Sequence, residues 1–279
     1  MTGILGATAD VTGLRDGILN VELFDPVPIS LNDGRILSKE NLPGDLVDGA
    51  VKTLSFLEAI VRQTGFNVDS ALLLDRVEKT VFETTHDKVA YSAFANTFAE
   101  GLSVTVQGFD HAAADCACKL AYCLQKPGGR FTNPSRIRAD DRTCSNILLM
   151  VERMSYFLDA MGPARRVCFR FNGGYGRAVD SGYGMFLTDG CLWDVTTSSD
   201  PLPEDARLRL LTRYALSVGC ADPALKSVTN IGIVNPRLHC AYMTTIRRIP
   251  EETLRYVAEG VAGIEGFEIP ELVGTDCDL

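Results

Sequence analysis

The run Cys191-Leu-Trp-Asp-Val-Thr-Thr carries the residue whose chemistry is easiest to place, Asp194. Hydrolysing a phosphodiester with magnesium requires two acidic groups converging on one hard cation. It also requires a cationic side chain, usually lysine, to activate water or steady the charge of the transition state. Residues i and i+2 of a strand share a face, so an acid and a lysine two positions apart stand side by side. Asp194 supplies such an acid, but Thr196 stands where the lysine would be. Glu152, on a helical stretch upstream, is the second acid within reach of a metal role. Both have plainer alternatives: Glu152 as a solvated glutamate, Asp194 as a buried acid bonding backbone or the Thr196 hydroxyl.

Arginine is the other recurrent functional group. Arg165, Arg166, Arg170, Arg177, Arg207 and others fall in the second half of the chain, where Lys226 is almost the only lysine. Arginine's planar fork suits phosphate, and it suits carboxylates and protein interfaces equally. Arg209 and Arg213 lie one helical turn apart, project together, and are the candidate binding pair. Asn172-Gly-Gly-Tyr-Gly-Arg lacks the Lys-Ser/Thr of a phosphate loop and reads as a flexible connection between strands. The three histidines form no nucleophile motif. Cys116, Cys118 and Cys123, with His111 and Asp115, have the wrong spacing for a zinc knuckle and read as small residues of a buried helix.

These groups need elements to hold them. Val47, Val51, Leu54, Leu57 and Val61 make a helical stripe, and helices are also expected around 68–82, 88–102 and 111–125. Ile18–Phe24 reads as a strand before Pro26. Ile147, Val151, Met154 and Leu158 make another helix stripe, followed by the alternating strand Arg166–Phe171. Gly184–Thr188 and Cys191–Thr197 are two strands joined by Asp189-Gly190, a strong two-residue hairpin signal. A helix from about Pro203 to Ser217, two strands around Asn235-Pro236 and a helix from Pro250 to Val261 complete the order.

That order, αβββαββα, resembles the core of the PD-(D/E)xK, or restriction-endonuclease-like, superfamily. The resemblance spans roughly residues 136–262, and its best local carrier is Met185-Phe-Leu-Thr-Asp-Gly-Cys-Leu-Trp-Asp-Val-Thr. It implies an acid on each arm of a hairpin and Asp-x-Lys on the second. With Asp189-Gly190 as the turn, Thr188 faces Cys191, Phe186 faces Trp193 and Met185 faces Asp194. Met185 therefore stands in the first acid's position and Thr196 in the lysine's. Two of the three signature groups are substituted.

Length and charge complete the expectation. The 279 residues are 46% hydrophobic and 23% charged, which excludes bulk disorder. The net charge of −9 is unevenly spread: residues 1–100 carry −7, residues 101–250 carry +5 and residues 251–279 carry −7. An odd cysteine count, a start without signal-peptide character and no spanning segment imply a reduced, cytoplasmic protein away from membranes. The expected organisation is a mostly helical region over 1–130, an α/β (α+β) restriction-endonuclease-like core over 131–265 and an acidic tail over 266–279. The expected function is binding, of nucleic acid through the arginines or of a protein partner, by a catalytically degraded pseudo-nuclease without a cofactor. The alternatives are a magnesium-dependent nuclease using Glu152 and Asp194, and a purely protein-binding module.

Overall fold

A computed structural model describes residues 20–29, 33–64, 109–125 and 134–270. The helices expected around 68–82 and 88–102 lie outside the described residues. Six helices are α1 (Gly44–Thr64), α2 (His111–Gln125), α3 (Asp141–Met161), α4 (Glu204–Val218), the single turn α5 (Pro223–Lys226) and α6 (Glu251–Arg255). The last continues as a π-helical turn over Tyr256–Val261. Six strands are β1 (Asp25–Pro26), β2 (Arg166–Arg170), β3 (Tyr183–Leu187), β4 (Cys191–Val195), β5 (Asn230–Asn235) and β6 (Cys240–Thr245). From α3 onward the order is that read from the sequence, with α5 added. The fold is mixed α/β.

The strands form one mixed sheet in the order β1-β6-β5-β4-β3-β2. β2, β3 and β4 are an antiparallel meander, β4 and β5 are parallel, and β5 and β6 are antiparallel. The parallel step requires a crossover, and α4 provides it. Phe186 pairs with Trp193 and Leu187 with Leu192, the register predicted for the hairpin. The Thr188 N–H donates to the Cys191 carbonyl at 3.0 Å, closing the two-residue turn. Only Gly190 of that turn has positive φ, at 68°.

Two compact units divide the chain, one comprising residues 1–29 with 160–279 and the other residues 30–159. The expected boundary near residue 130 is therefore not where the chain divides. In the helical unit, the α3 residues Ile147, Met150 and Val151 pack into one cluster with Val47, Val51 and Leu54 of α1 and Ala114 and Cys118 of α2. The stripe of α3 is thus satisfied largely by helices. In the sheet unit, β1 pairs with β6 through Asp25 and Pro26, which ties residues 20–29 to the C-terminal half.

The strand expected over Ile18–Phe24 is instead a 3-10 turn at Val21–Leu23, with residues 18 and 19 outside the described residues. Asn20 causes it: its Oδ1 accepts the Glu22 N–H at 2.9 Å, a cap that starts a helical turn. The Asn172–Arg177 segment is also not a loose connector. A Cβ on Gly174 would stand 1.8 Å from the Leu216 carbonyl oxygen, and one on Gly176 would stand 2.1 Å from that of Ala262. Both glycines are there because other backbone passes too close for a side chain.

Candidate functional site

β4 is buried along its whole length, so each of its side chains must find a partner inside. Trp193 points to one face and lies against Gly232, its neighbour on β5, where a Cβ would come within 2.2 Å of the ring. Its Nε1 donates to the Thr188 hydroxyl at 2.9 Å. This matches its reading as core. Asp194, the next residue, faces the other way and is 0% exposed.

An ionised carboxylate at full burial needs compensating charge. Helix α4 supplies it twice. Arg213 Nη1 lies 2.6 Å from Asp194 Oδ1, and Arg209 Nε lies 3.4 Å from Oδ2. The Val195 N–H adds a hydrogen bond to Oδ1 at 2.8 Å. Arg213 Nε also donates to the Tyr183 carbonyl at 2.9 Å, so one guanidinium links α4 to β3 and β4. Arg209 bonds Asp205 one turn earlier on its own helix as well. The result is a charge cluster in which buried Asp194 and exposed Asp205 meet two arginines.

This arrangement changes the reading of three predicted residues. Arg209 and Arg213 do project together, but inward: they are 8% and 7% exposed. They are not a surface pair presented to phosphate. Asp194 is paired with the two arginines, and Thr196 is not its hydroxyl partner. The Thr196 Oγ1 accepts the Ser198 N–H at 3.3 Å, and its own N–H continues the ladder to Val234 at 3.1 Å. Met185 and Thr196 are both buried.

The site does not fit magnesium. A hard cation at Asp194 would have to enter beside two guanidinium groups already drawn to that carboxylate, and like charges there repel it. Glu152 belongs to the other compact unit and pairs with Arg35 at 2.8 Å on the surface. Among the described residues no group of three His, Cys, Asp or Glu side chains is placed to hold a metal.

The cysteine group disperses in the same way. Cys116 and Cys118 are buried in α2, and burial pushes the Cys118 thiol up to about 12. His111 is bonded to Ser145 and Asp141, and Asp115 to the Ala139 N–H and Lys119. The Cys123 side chain lies outside the described residues.

Five other arginines of the sheet unit face solvent, and an acid of the same unit stands beside each. Arg165 pairs with Asp189 at 2.9 Å, Arg166 with Asp222 at 2.9 Å and Arg177 with Glu265 at 2.5 Å. Arg248 pairs with Asp25, and Arg255 with Glu251 at 2.7 Å. Each such pair is weak, because water screens exposed charges. At these five positions a carboxylate stands next to the guanidinium.

The sequence did hold a signal for the inward arginines. Leu208, Leu210, Leu211, Tyr214, Ala215 and Leu216 surround α4 instead of forming one stripe, and a helix apolar all round is buried. Arginines within it must then be paired.

No protein-family model matches the chain, and neither a curated protein nor a solved structure shows significant similarity to it. Among the described residues no helix is long and apolar enough to cross a membrane.

Proposed function

We propose that this chain is a non-catalytic protein with a restriction-endonuclease-like core that acts by binding, and that its partner is a protein rather than nucleic acid. The observation that carries this reading is Asp194, fully buried with Arg213 at 2.6 Å and Arg209 at 3.4 Å. A carboxylate that activates a metal must keep oxygen lone pairs open to it. This one is fully buried, with each oxygen within ion-pair distance of a guanidinium group and Oδ1 also accepting a backbone N–H. The αβββαββα order and the hairpin register, with Phe186 opposite Trp193, support the resemblance. Met185 and Thr196 in the signature positions support the loss of chemistry. The choice of a protein partner is supported by the carboxylates beside Arg165, Arg166, Arg177, Arg248 and Arg255, because phosphate approaching any of them also approaches an acid.

The test has two arms on the intact chain. Incubation with single- and double-stranded DNA and RNA in Mg²⁺ or Mn²⁺ should leave every substrate uncut. Fluorescence anisotropy with the same nucleic acids at low salt should show no binding that weakens as salt rises. Metal-dependent cutting would overturn the non-catalytic reading, and salt-sensitive retention weakened by Arg165→Ala or Arg166→Ala would replace the protein partner with nucleic acid.

A further inference from the structure

The helical unit contains a second set of buried polar side chains, and they hold a piece of the chain that is neither helix nor strand. Residues 33–41 run beside one row of α3, made by Thr143, Asn146 and Arg153. These three side chains belong to residues only 0%, 4% and 2% exposed.

The row grips the segment's backbone first. Asn146 Nδ2 donates to the Ser38 carbonyl at 2.7 Å while its Oδ1 accepts the Ser38 N–H at 3.0 Å. One side-chain amide thus satisfies both polar groups of one residue, as a neighbouring strand would. Thr143 Oγ1 accepts the Asn41 N–H at 2.9 Å, and Arg153 Nη2 donates to the Arg35 carbonyl at 2.9 Å. Such contacts accept almost any sequence.

Further contacts read side chains: Thr143 Oγ1 donates to Asn41 Oδ1 at 2.8 Å and Asn146 Nδ2 to Glu40 Oε1 at 3.1 Å. Arg153 Nε and Nη2 hold the Asp33 carboxylate at 3.2 and 2.9 Å, the two-pronged geometry that separates a carboxylate from other acceptors. Four positions later, Leu37 packs against the apolar cluster of α1, α2 and α3. Ile36 between them is 91% exposed and takes no part in the grip. The pattern is an acid, a glycine at positive φ, two residues whose side chains the row does not hold, then an aliphatic residue followed by a backbone-paired position.

We infer that the Thr143–Asn146–Arg153 row of α3 is a receptor for an extended peptide of a partner protein, one with an acidic residue four positions before an aliphatic residue, and that residues 33–41 occupy it in cis. This rests on the reading of the chain as a protein-binding module and gives the partner's chemistry. A buried arginine must be matched by an anion, and here the matching carboxylate comes from an extended segment fastened through its backbone. Another extended segment with the same two features can replace it. Tethering gives the cis segment a high effective concentration, so it competes with any peptide added in trans.

The probe is a fluorescein-labelled peptide with the sequence of residues 33–41, added to the intact protein and to two full-length variants. Asp33→Asn removes the carboxylate that the segment gives to Arg153, and Ser38→Pro removes the N–H that Asn146 accepts. The peptide should bind each variant at least tenfold more tightly than wild type. It should also raise the melting temperature of Asp33→Asn, and a control peptide with Asn in place of its Asp should do neither. Should a variant not fold alone, peptide-dependent recovery of helical circular dichroism supports the receptor and its absence counts against it. Equal binding to all three proteins, or binding to none, overturns the proposal. The two readings fail separately: a peptide that does not bind, with wild type still inert toward nucleic acids, removes this groove alone, whereas metal-dependent cutting by wild type removes the non-catalytic reading whatever the peptide does.

Discussion

Replacing Asp194 by Ala should destabilise the sheet unit without touching any reaction. The carboxylate is 0% exposed, and the side chains of Arg209 and Arg213 are 10% and 9% exposed, so the three charges sit in a region of low solvation. Removing the acid leaves two guanidinium groups inside together. Arg209 keeps Asp205, and Arg213 keeps the Tyr183 carbonyl, which is a weaker substitute for a full charge. Breaking a buried ion pair by deleting one member costs about 3–5 kcal/mol. For a protein of this size each kcal/mol lowers Tm by about 2–4 °C, so the loss should be roughly 6–20 °C. The assay is local by construction: Trp193 is the only tryptophan, is fully buried and is the residue before Asp194. Urea unfolding followed by its fluorescence reports the sheet unit even though the chain has two units and need not unfold in one step. Replacing the pair together, as Asp194→Leu with Arg213→Met, should recover much of the loss because no buried charge is stranded at that contact. A change below about 0.5 kcal/mol on Asp194→Ala would refute the charge-cluster argument, since that is the scale of an unremarkable surface substitution. For the same reason, loss of function in Asp194→Ala is not evidence of catalysis unless folding is measured alongside it.

Gly232→Ala should cost about 1–3 kcal/mol and shift the Trp193 emission, because the new Cβ would meet the indole at 2.2 Å; unchanged fluorescence and stability would contradict the packing of β5 on Trp193. Glu152→Gln should leave the thermal melt nearly unchanged, since its contact with Arg35 is a surface ion pair; a clear drop in melting temperature, or a loss of metal-dependent activity, would return Glu152 to a functional role. Acid should weaken the helical unit through Asp33, whose carboxyl the Arg153 guanidinium holds well below the usual carboxylate range. A depressed folded value means that this contribution is complete above the unfolded value near about 4 and is lost as pH falls through the folded one. Asp33→Asn should therefore flatten the acid dependence of the urea midpoint below about pH 4, read by circular dichroism at 222 nm, and an unchanged slope would count against the Arg153–Asp33 pair.

Local signals were the legible ones. The hairpin was readable because Asp189-Gly190 fixes the turn and period-two alternation fixes the register, so Phe186 opposite Trp193 follows from a dozen residues. The helices α1, α2, α3 and α4 were readable from apolar spacing, and the strands after α3 from alternation and turn residues. The Asn172–Arg177 glycines were not, because the backbone they accommodate comes from Leu216 and Ala262, roughly 40 and 90 residues away in the chain.

The chemistry was legible only as an inventory. The sequence by itself determined that an acid sits on the second arm of a hairpin, that Met185 and Thr196 bring no further charge to it, and that Arg209 and Arg213 share one side of a helix. These are matters of spacing along one element. Only the tertiary structure decided that the arginines and the acid are each other's partners. The crossover from β4 through α4 to β5 lays the helix against the strand it has just left, and this brings residues 15 and 19 positions apart within 3.4 and 2.6 Å. Segment 33–41 and α3 show the same limit over more than 100 residues, where the carboxylate that neutralises Arg153 is named by no local pattern. A side chain's charge is written in the sequence, but whether water or another residue compensates it depends on which elements pack together.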